Sequence, residues 1–263
     1  LVFLQHIFPN DCVKKIKMET WTQLKNFIEL EHEYGAHDYH PIPVVIEKGE
    51  GVYLWDIEGK KYYDFLSAYS AVNQGHCHPR LIKTLHKQSN ELTLTSRAFH
   101  NNKLGVYMKY ITKYFDFERV LPMNTGAEGV ETAIKITRKW GYTIKKIPPN
   151  KAQIIICKKN FHGRTTTIIS FSSDKGSKDN FGPHTPGFIE IPHNDLESLK
   201  SVLNNNPNIA GFLVEPIQGE AGVCTPDDKF IKRAKVLCSQ FNVLLIADEI
   251  QTGIGRTGSL LAV

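Results

Sequence analysis

Apolar residues along the chain follow two regimes, and the change between them divides the sequence. Near the start, Trp21, Leu24, Phe27 and Ile28 fall on one helical face, which predicts a short helix over residues 19–33. Short apolar runs follow at 44–46, 52–55 and 61–65, the last two flanking the turn Glu58-Gly59-Lys60. That is the signature of an antiparallel hairpin. From Pro79 onward, helical and extended patterns alternate. Pro79 stands where a first helical residue would, ahead of Leu81, Ile82 and Leu85. Leu104, Tyr107, Met108, Ile111 and Phe115 then trace an amphipathic helix.

The remainder reads as a strand at 120–123, a helix over 127–140 ended by Gly141, and a strand at 153–157. The β-branched stretch 166–172 reads as a further strand. Asp195 caps a helix that turns Leu196, Leu199 and Leu203 inward. Aliphatic strands at 209–214 and 243–247 bracket a helix over 227–241, whose stripe is Phe230, Ala234, Leu237, Cys238 and Phe241. Strands apolar on both faces and separated by helices predict a mostly parallel sheet covered on both sides. The fold class is α/β. Residues 1–78 form an N-terminal segment of helix plus hairpin, and 79–263 belong to the larger α/β part.

Composition narrows the function classes. Hydrophobic residues make up 41% and charged residues 22%, so neither a disordered nor a fibrous chain is expected. The longest aliphatic run, 243–247, is far short of the ~20 residues of a membrane helix. A soluble protein without a membrane role is expected. The net charge of +5 is scattered without aromatic striping, which argues against a nucleic-acid partner. Five cysteines without a C-x-x-C pair fit a reduced, intracellular protein. His76-Cys77-His78 reads as a turn and not a metal site, since adjacent side chains rarely converge on one ion. The chain starts at Leu1 and stops in the apolar Leu260-Leu261-Ala262-Val263, as a fragment would. Residues 1–17 carry His6, Lys14, Lys15 and Lys17 against Asp11. They fit a mitochondrial presequence, but they contain no arginine, and Met18 serves equally as a start. Matrix and cytoplasm both remain open.

In a parallel sheet the ligand lies beyond the carboxyl ends of the strands. Strand 120–123 runs into Asn124-Thr125-Gly126-Ala127-Glu128, a glycine turn feeding a helix. This is either an anion site or an ordinary capped turn. Asp248, just past 243–247, is either a strand-end cap or a carboxylate for a metal, a ribose or a ring N–H⁺. Glu249 points to the opposite face. Strand 209–214 leads to Glu215-Pro216-Ile217-Gln218-Gly219-Glu220, two acids that individually read as loop residues. Asn160-Phe161-His162-Gly163-Arg164 adds an aromatic ring, a histidine and a guanidinium suited to a carboxylate. Together these groups describe a site for a phosphorylated, cationic aromatic cofactor and a carboxylate substrate.

The same motifs carry a family resemblance. The run 124–128 with Glu131-Thr132-Ala133, the run 214–220, and Ala247-Asp248-Glu249-Ile250-Gln251-Thr252-Gly253 with Gly255-Arg256-Thr257-Gly258 resemble the pyridoxal-phosphate-dependent class III aminotransferases. Within that class, the runs 34–41 and 67–79 resemble the ornithine aminotransferases. The resemblance implies the fold type I transferase architecture, like that of aspartate aminotransferases. It also implies the cofactor pyridoxal 5′-phosphate and a homodimer or higher homo-oligomer. The implied reaction moves the δ-amino group of L-ornithine to 2-oxoglutarate, giving glutamate 5-semialdehyde and glutamate.

Roles carry over by position. Thr125, Gly126 and Ala127 match the phosphate loop, Phe161 the ring-stacking aromatic, and Asp248 the acid at the protonated ring nitrogen. Gln251 matches the partner of the ring 3′-oxygen. Arg164 and Tyr39 match the substrate grip, Tyr69 the pocket mouth, and Glu220 the acid that masks a second arginine. His162 departs from the pattern, as does Gly129-Val130, where glycine costs about 1 kcal/mol of helix propensity. The larger departure is the family's cofactor-binding lysine. No lysine follows Asp248, and the last is Lys235. The chain is therefore expected to be an N-terminal portion that lacks the C-terminal small domain, inactive by itself. A class III enzyme for acetylornithine or 4-aminobutyrate, or a non-catalytic truncated relative, are the alternatives.

Overall fold

The computed structural model describes residues 24–263. The expectations for the presequence, Met18 and the start of the first helix lie outside the described residues. The chain forms two compact units, one comprising the described residues up to 68 together with 74–93, the other 69–73 and 94–263.

The first unit contains α1 (Leu24–Tyr34) and an antiparallel sheet of β1 (Ile46–Glu50), β2 (Tyr53–Asp56) and β3 (Lys61–Tyr63), in the order β1-β2-β3. The strand expected at 44–46 begins only at Ile46. β1 reads IEKGE and is largely exposed, so hydrophobicity does not mark it. Charged residues are at home on such an edge strand. Asp56 organises the β2–β3 turn. Its carboxylate accepts from Glu58 N at 3.0 Å, Lys60 N at 2.9 Å and Tyr62 OH at 2.6 Å. Asp64 accepts from the backbone of Leu66 and Ser67 and pairs with His76 Nε2 at 2.7 Å. His76 in turn bridges to Gly51 through two backbone hydrogen bonds. The turn α2 (Ser67–Ser70) follows, with four successive φ values between +45° and +73°. Helix α3 (Pro79–Glu91) has its proline in the first turn and groups with this unit, so the seam follows Thr93 and not residue 78.

The second unit is built on a parallel sheet in the order β5-β4-β6-β7. These are β4 (Gln153–Cys157), β5 (Phe188–Ile191), β6 (Ile209–Val214) and β7 (Leu244–Ala247). Period-2 alternation sends side chains to two cores. Ile155, Cys157, Phe212 and Val214 meet Leu199 and Leu203 of α8 (Leu196–Asn205) and Phe230, Ala234 and Cys238 of α9 (Phe230–Gln240). Ile154, Ile156 and Leu213 meet Val130 and Ile134 of α5 (Gly126–Thr143) on the other face. Every residue of β6 is buried. Asp195 caps α8 by accepting from Ser198 N, and α4 (Leu104–Phe115) also forms as its periodicity predicts. Among the described residues, no helix is long and apolar enough to cross a membrane.

Three expectations in the second unit need correction. Residues 120–123 are irregular, not a strand: Pro122 cannot donate to a ladder, and Leu121 lies exposed. Gly141 does not end its helix. A side chain there would stand 3.0 Å from Ala210 Cβ, so the glycine lets α5 close on β6, and the helix runs on to Thr143. The stretch 166–172 is not a strand but opens with the short helix α6 (Thr166–Ile169). A helical turn buries Ile168 and Ile169 together with Phe171, which strand alternation would have separated. Between α6 and β5 lies the single turn α7 (Lys175–Lys178); β5 itself was not foreseen.

Candidate active site

The site lies in the second unit at the carboxyl ends of β4, β6 and β7, facing the start of α5. Thr125 is the N-cap of α5, and its hydroxyl accepts from Glu128 N at 3.1 Å. The Glu128 carboxylate reaches back to Asn124 N at 2.8 Å, a reciprocal arrangement close to a capping box. Gly126 and Ala127 in the first turn have N–H groups without intrahelical acceptors, at the positive end of an 18-residue helix. That end is suited to a phosphate.

After β4, Asn160 fixes the turn by donating to the carbonyls of Cys157 and Phe171. Phe161 N donates to Glu215 Oε2 at 3.1 Å, and the Arg164 guanidinium lies 5.3 Å from the Phe161 ring centroid. Gly163 has φ +121°, and a Cβ there would fall 2.9 Å from Ala127 Cβ. Only glycine lets this loop approach α5 so closely.

At the end of β7, Asp248 N donates to Val214 O at 2.9 Å, continuing the ladder. Its Oδ1 accepts from Ile250 N at 3.1 Å, and its Oδ2 lies 2.6 Å from His162 Nδ1. Both side chains are almost fully buried. At the end of β6, Glu215 is also buried, and burial pushes its carboxyl up to about 7. Next along the chain, Gln218 and Cys224 pair through their backbones and close the tight loop that carries Glu220. Buried Gln218 anchors this loop by donating to Lys158 O at 2.8 Å. Gln251 Nε2 donates to Glu220 Oε1 at 3.1 Å.

Of the expected cofactor residues, Gly126, Ala127, Phe161, Asp248 and Gln251 line one cavity of about 220 Å³, together with His162 and Glu215. Thr125 caps the helix beside it. Arg164 and Glu220 line a second cavity of about 410 Å³ that shares Phe161, His162 and Gly163 with the first. The structure does not place Tyr69 on either wall; it is 62% exposed. Tyr39 belongs to the first unit and is 52% exposed. Two residues on the wall of the first cavity carry no expected role. Glu215 looked like a loop acid, although it continues the apolar run of β6 without a break. His162 is part of the 160–164 motif, but nothing near it in the chain names its partner, Asp248, which lies 86 positions away.

The family described as Aminotransferase class-III matches residues 34–263. The chain belongs to that family. It is 57% identical over 233 residues to a protein named ornithine aminotransferase, mitochondrial, from Drosophila ananassae, covering 89% of this chain and 54% of that protein. It is 52% identical over 251 residues to the ornithine aminotransferase of Plasmodium falciparum, covering 95% and 59%. The ornithine aminotransferase structure from Toxoplasma gondii, described with pyridoxal phosphate at partial occupancy in its active site, superposes with a TM-score of 0.90. It is 50% identical and covers 92% of this chain and 56% of that one. An acetylornithine aminotransferase from Elizabethkingia anophelis matches with a TM-score of 0.80 at 54% identity, covering 91% and 56%. The chain thus spans about half the length of the relatives it matches.

The residues present fit a pyridoxal phosphate. One small cavity offers a helix N-terminus for an anion, an aromatic wall, an amide, and a buried carboxylate for a ring N–H⁺.

Proposed function

We infer that the protein to which this chain belongs transfers the δ-amino group of L-ornithine to 2-oxoglutarate, yielding glutamate 5-semialdehyde and glutamate. The observation that carries this reading is the meeting of Gly126, Ala127, Phe161, Asp248 and Gln251 on one cavity, with Arg164 and Glu220 on the next. The relatives named ornithine aminotransferase support it.

Thr125, Gly126 and Ala127 would hold the phosphate of pyridoxal 5′-phosphate, Phe161 one face of its ring, Gln251 its 3′-oxygen and Asp248 its ring nitrogen. When bound, this group supplies the electron sink for a carbanion. Asp248 would accept the ring N–H⁺, since a carboxylate favours a cation beside it. Arg164 would take the distant α-carboxylate of ornithine; Tyr39 and Tyr69 are assigned their substrate roles by sequence position alone. Glu220, which here accepts from Gln251, would mask an arginine supplied from outside this chain, so that the δ-amine enters. The proton-transferring amine is proposed to come from sequence outside this chain, since residues 249–263 contain no lysine. Residues 1–263 alone are accordingly proposed to be inactive. A homodimer or higher homo-oligomer and an intracellular setting, matrix or cytoplasm, are part of the same reading.

The test is an assay of the full-length protein with ornithine, N-acetylornithine and 4-aminobutyrate as donors to 2-oxoglutarate. Ornithine should give the highest kcat/KM, with semialdehyde as product. Preference for N-acetylornithine would instead support the second reading, which rests on the acetylornithine aminotransferase neighbour. Glu220→Ala should shift selectivity from the δ-amine toward α-amino acids such as glutamate. The loss of a charge-assisted pair worth about 2–3 kcal/mol corresponds to roughly thirty- to 150-fold. Unchanged regiochemistry in that variant would remove the basis of the ornithine assignment.

A further inference from the structure

The resemblance assigns roles at the end of each central strand but none to the two buried titratable groups between them, His162 and Glu215. Three strand ends meet here: His162 after β4, Glu215 after β6 and Asp248 after β7. A carboxylate only accepts hydrogen bonds. The 2.6 Å contact from His162 Nδ1 to Asp248 Oδ2 therefore places the proton on Nδ1. Ile250 N holds the other carboxylate oxygen, so both oxygens of Asp248 are fixed. His162 Nε2 is buried with no hydrogen-bond partner. Burying an unmatched polar atom is costly, and a ring present only to fill space would be better served by an apolar side chain. Glu215 accepts from Phe161 N and so clamps the backbone immediately before His162.

We propose that His162 is a positioning residue for Asp248, with Glu215 fixing the loop that presents it, so that this buried relay aims the carboxylate into the cavity. The proposal rests on the cofactor reading above and adds to it the residue that sets the strength of the Asp248 interaction. A carboxylate locked in one orientation, by the imidazole on one oxygen and Ile250 N on the other, loses no rotamer freedom when a cation binds. In effect, the ring works through Asp248.

The experiment uses the full-length protein and pyridoxamine 5′-phosphate, which binds without a covalent link, so affinity is read apart from turnover. His162→Phe keeps an aromatic ring but has no donor, whereas His162→Asn places an amide N–H near the position of Nδ1. Affinity should fall by about ten- to a hundredfold in His162→Phe, the weight of one hydrogen bond to a charged group. In His162→Asn it should return to within roughly threefold of the parent. A far-downfield imidazole N–H resonance from His162 should appear in the parent and vanish in Asp248→Ala, which holds the test open if a variant folds poorly. Parent-like affinity in His162→Phe, or no such resonance, overturns the relay alone. Failure of the parent to bind the probe overturns the cofactor reading, and the relay with it.

Discussion

The two units solve the problem of holding a sheet together in different ways. In the second unit the parallel sheet is sealed on both faces, and every fully buried apolar side chain among the described residues belongs to it. In the first unit the one buried residue among those described is a carboxylate, Asp56. The three short strands there are tied by Asp56, by the Asp64–His76 pair and by Lys61 lying 3.4 Å over the ring of Tyr53. A three-stranded sheet needs an apolar face or a helix packed against it to be stable on its own. Polar ties hold the strands together there, whereas apolar burial does so in the second unit, and the candidate site sits on the second kind of scaffold. A catalytic constellation needs that rigidity, because its carboxylates must be held in one orientation against their own preference for water.

The sharpest way to break this contrast is a cavity in the central strand. Phe212 is fully buried in β6 against α8 and α9. Phe212→Ala should cost about 3–5 kcal/mol, the range for deleting a buried aromatic ring. Trp140 reports on the second unit and Trp55 on the first. In denaturant unfolding of single-tryptophan variants, the Trp140 transition should move far more than the Trp55 transition. Equal movement of both would show one cooperative body and end the comparison as drawn.

The carboxylates of the two units should also respond to pH with opposite sign. Glu215, raised from 4.5 to about 7 by burial, binds a proton more tightly in the folded chain than in the unfolded one. Its contribution is therefore fully present below about pH 4.5 and is lost as pH rises through about 7. The ionised form carries a penalty of about 3 kcal/mol. Glu215→Gln keeps an acceptor for Phe161 N but cannot ionise. It should flatten this loss between about pH 5 and 8 in thermal melts read through Trp140, and an unchanged slope would show that Glu215 is ionised at no cost.

Much of this division was legible in the sequence. The all-apolar strands at 153–157, 209–214 and 243–247 announce a sheet buried on both faces, and the acid after the last of them marks the site. What sequence reading missed depended on tertiary context. β1 is too polar to show a strand pattern, and α6 has the β-branched composition of a strand but gains more by burying Ile168, Ile169 and Phe171 as a turn. The cluster of His162, Glu215 and Asp248 joins residues 53 and 33 positions apart in the chain, so no local spacing foretells it. Glycine is ambiguous in the same way. Gly141 looks like a stop from its neighbours alone, and only the closeness of Ala210 shows that it is a packing residue.

The smallest expected effect tests the polar half of the comparison. Asp64 is held below its ordinary value near 3.8, chiefly by the hydrogen bond from His76 and then by the Ser67 backbone N–H. The folded chain thus binds that proton more weakly than the unfolded chain. The contribution is present above about pH 4 and is lost as pH falls through the depressed folded value, the reverse of Glu215. Asp64→Asn retains an oxygen for the backbone donors but gives up the charge facing His76. The cost should be about 1 kcal/mol at neutral pH, one ordinary hydrogen bond's worth. It should appear in the Trp55 transition and not in that of Trp140, and it should shrink as the parent is acidified below the ordinary carboxylate range. A variant as stable as the parent at every pH would mean that the pair sets the geometry of the 64–76 loop without stabilising it. A loss shared equally by both tryptophans would mean instead that the two units draw on a common reserve of stability.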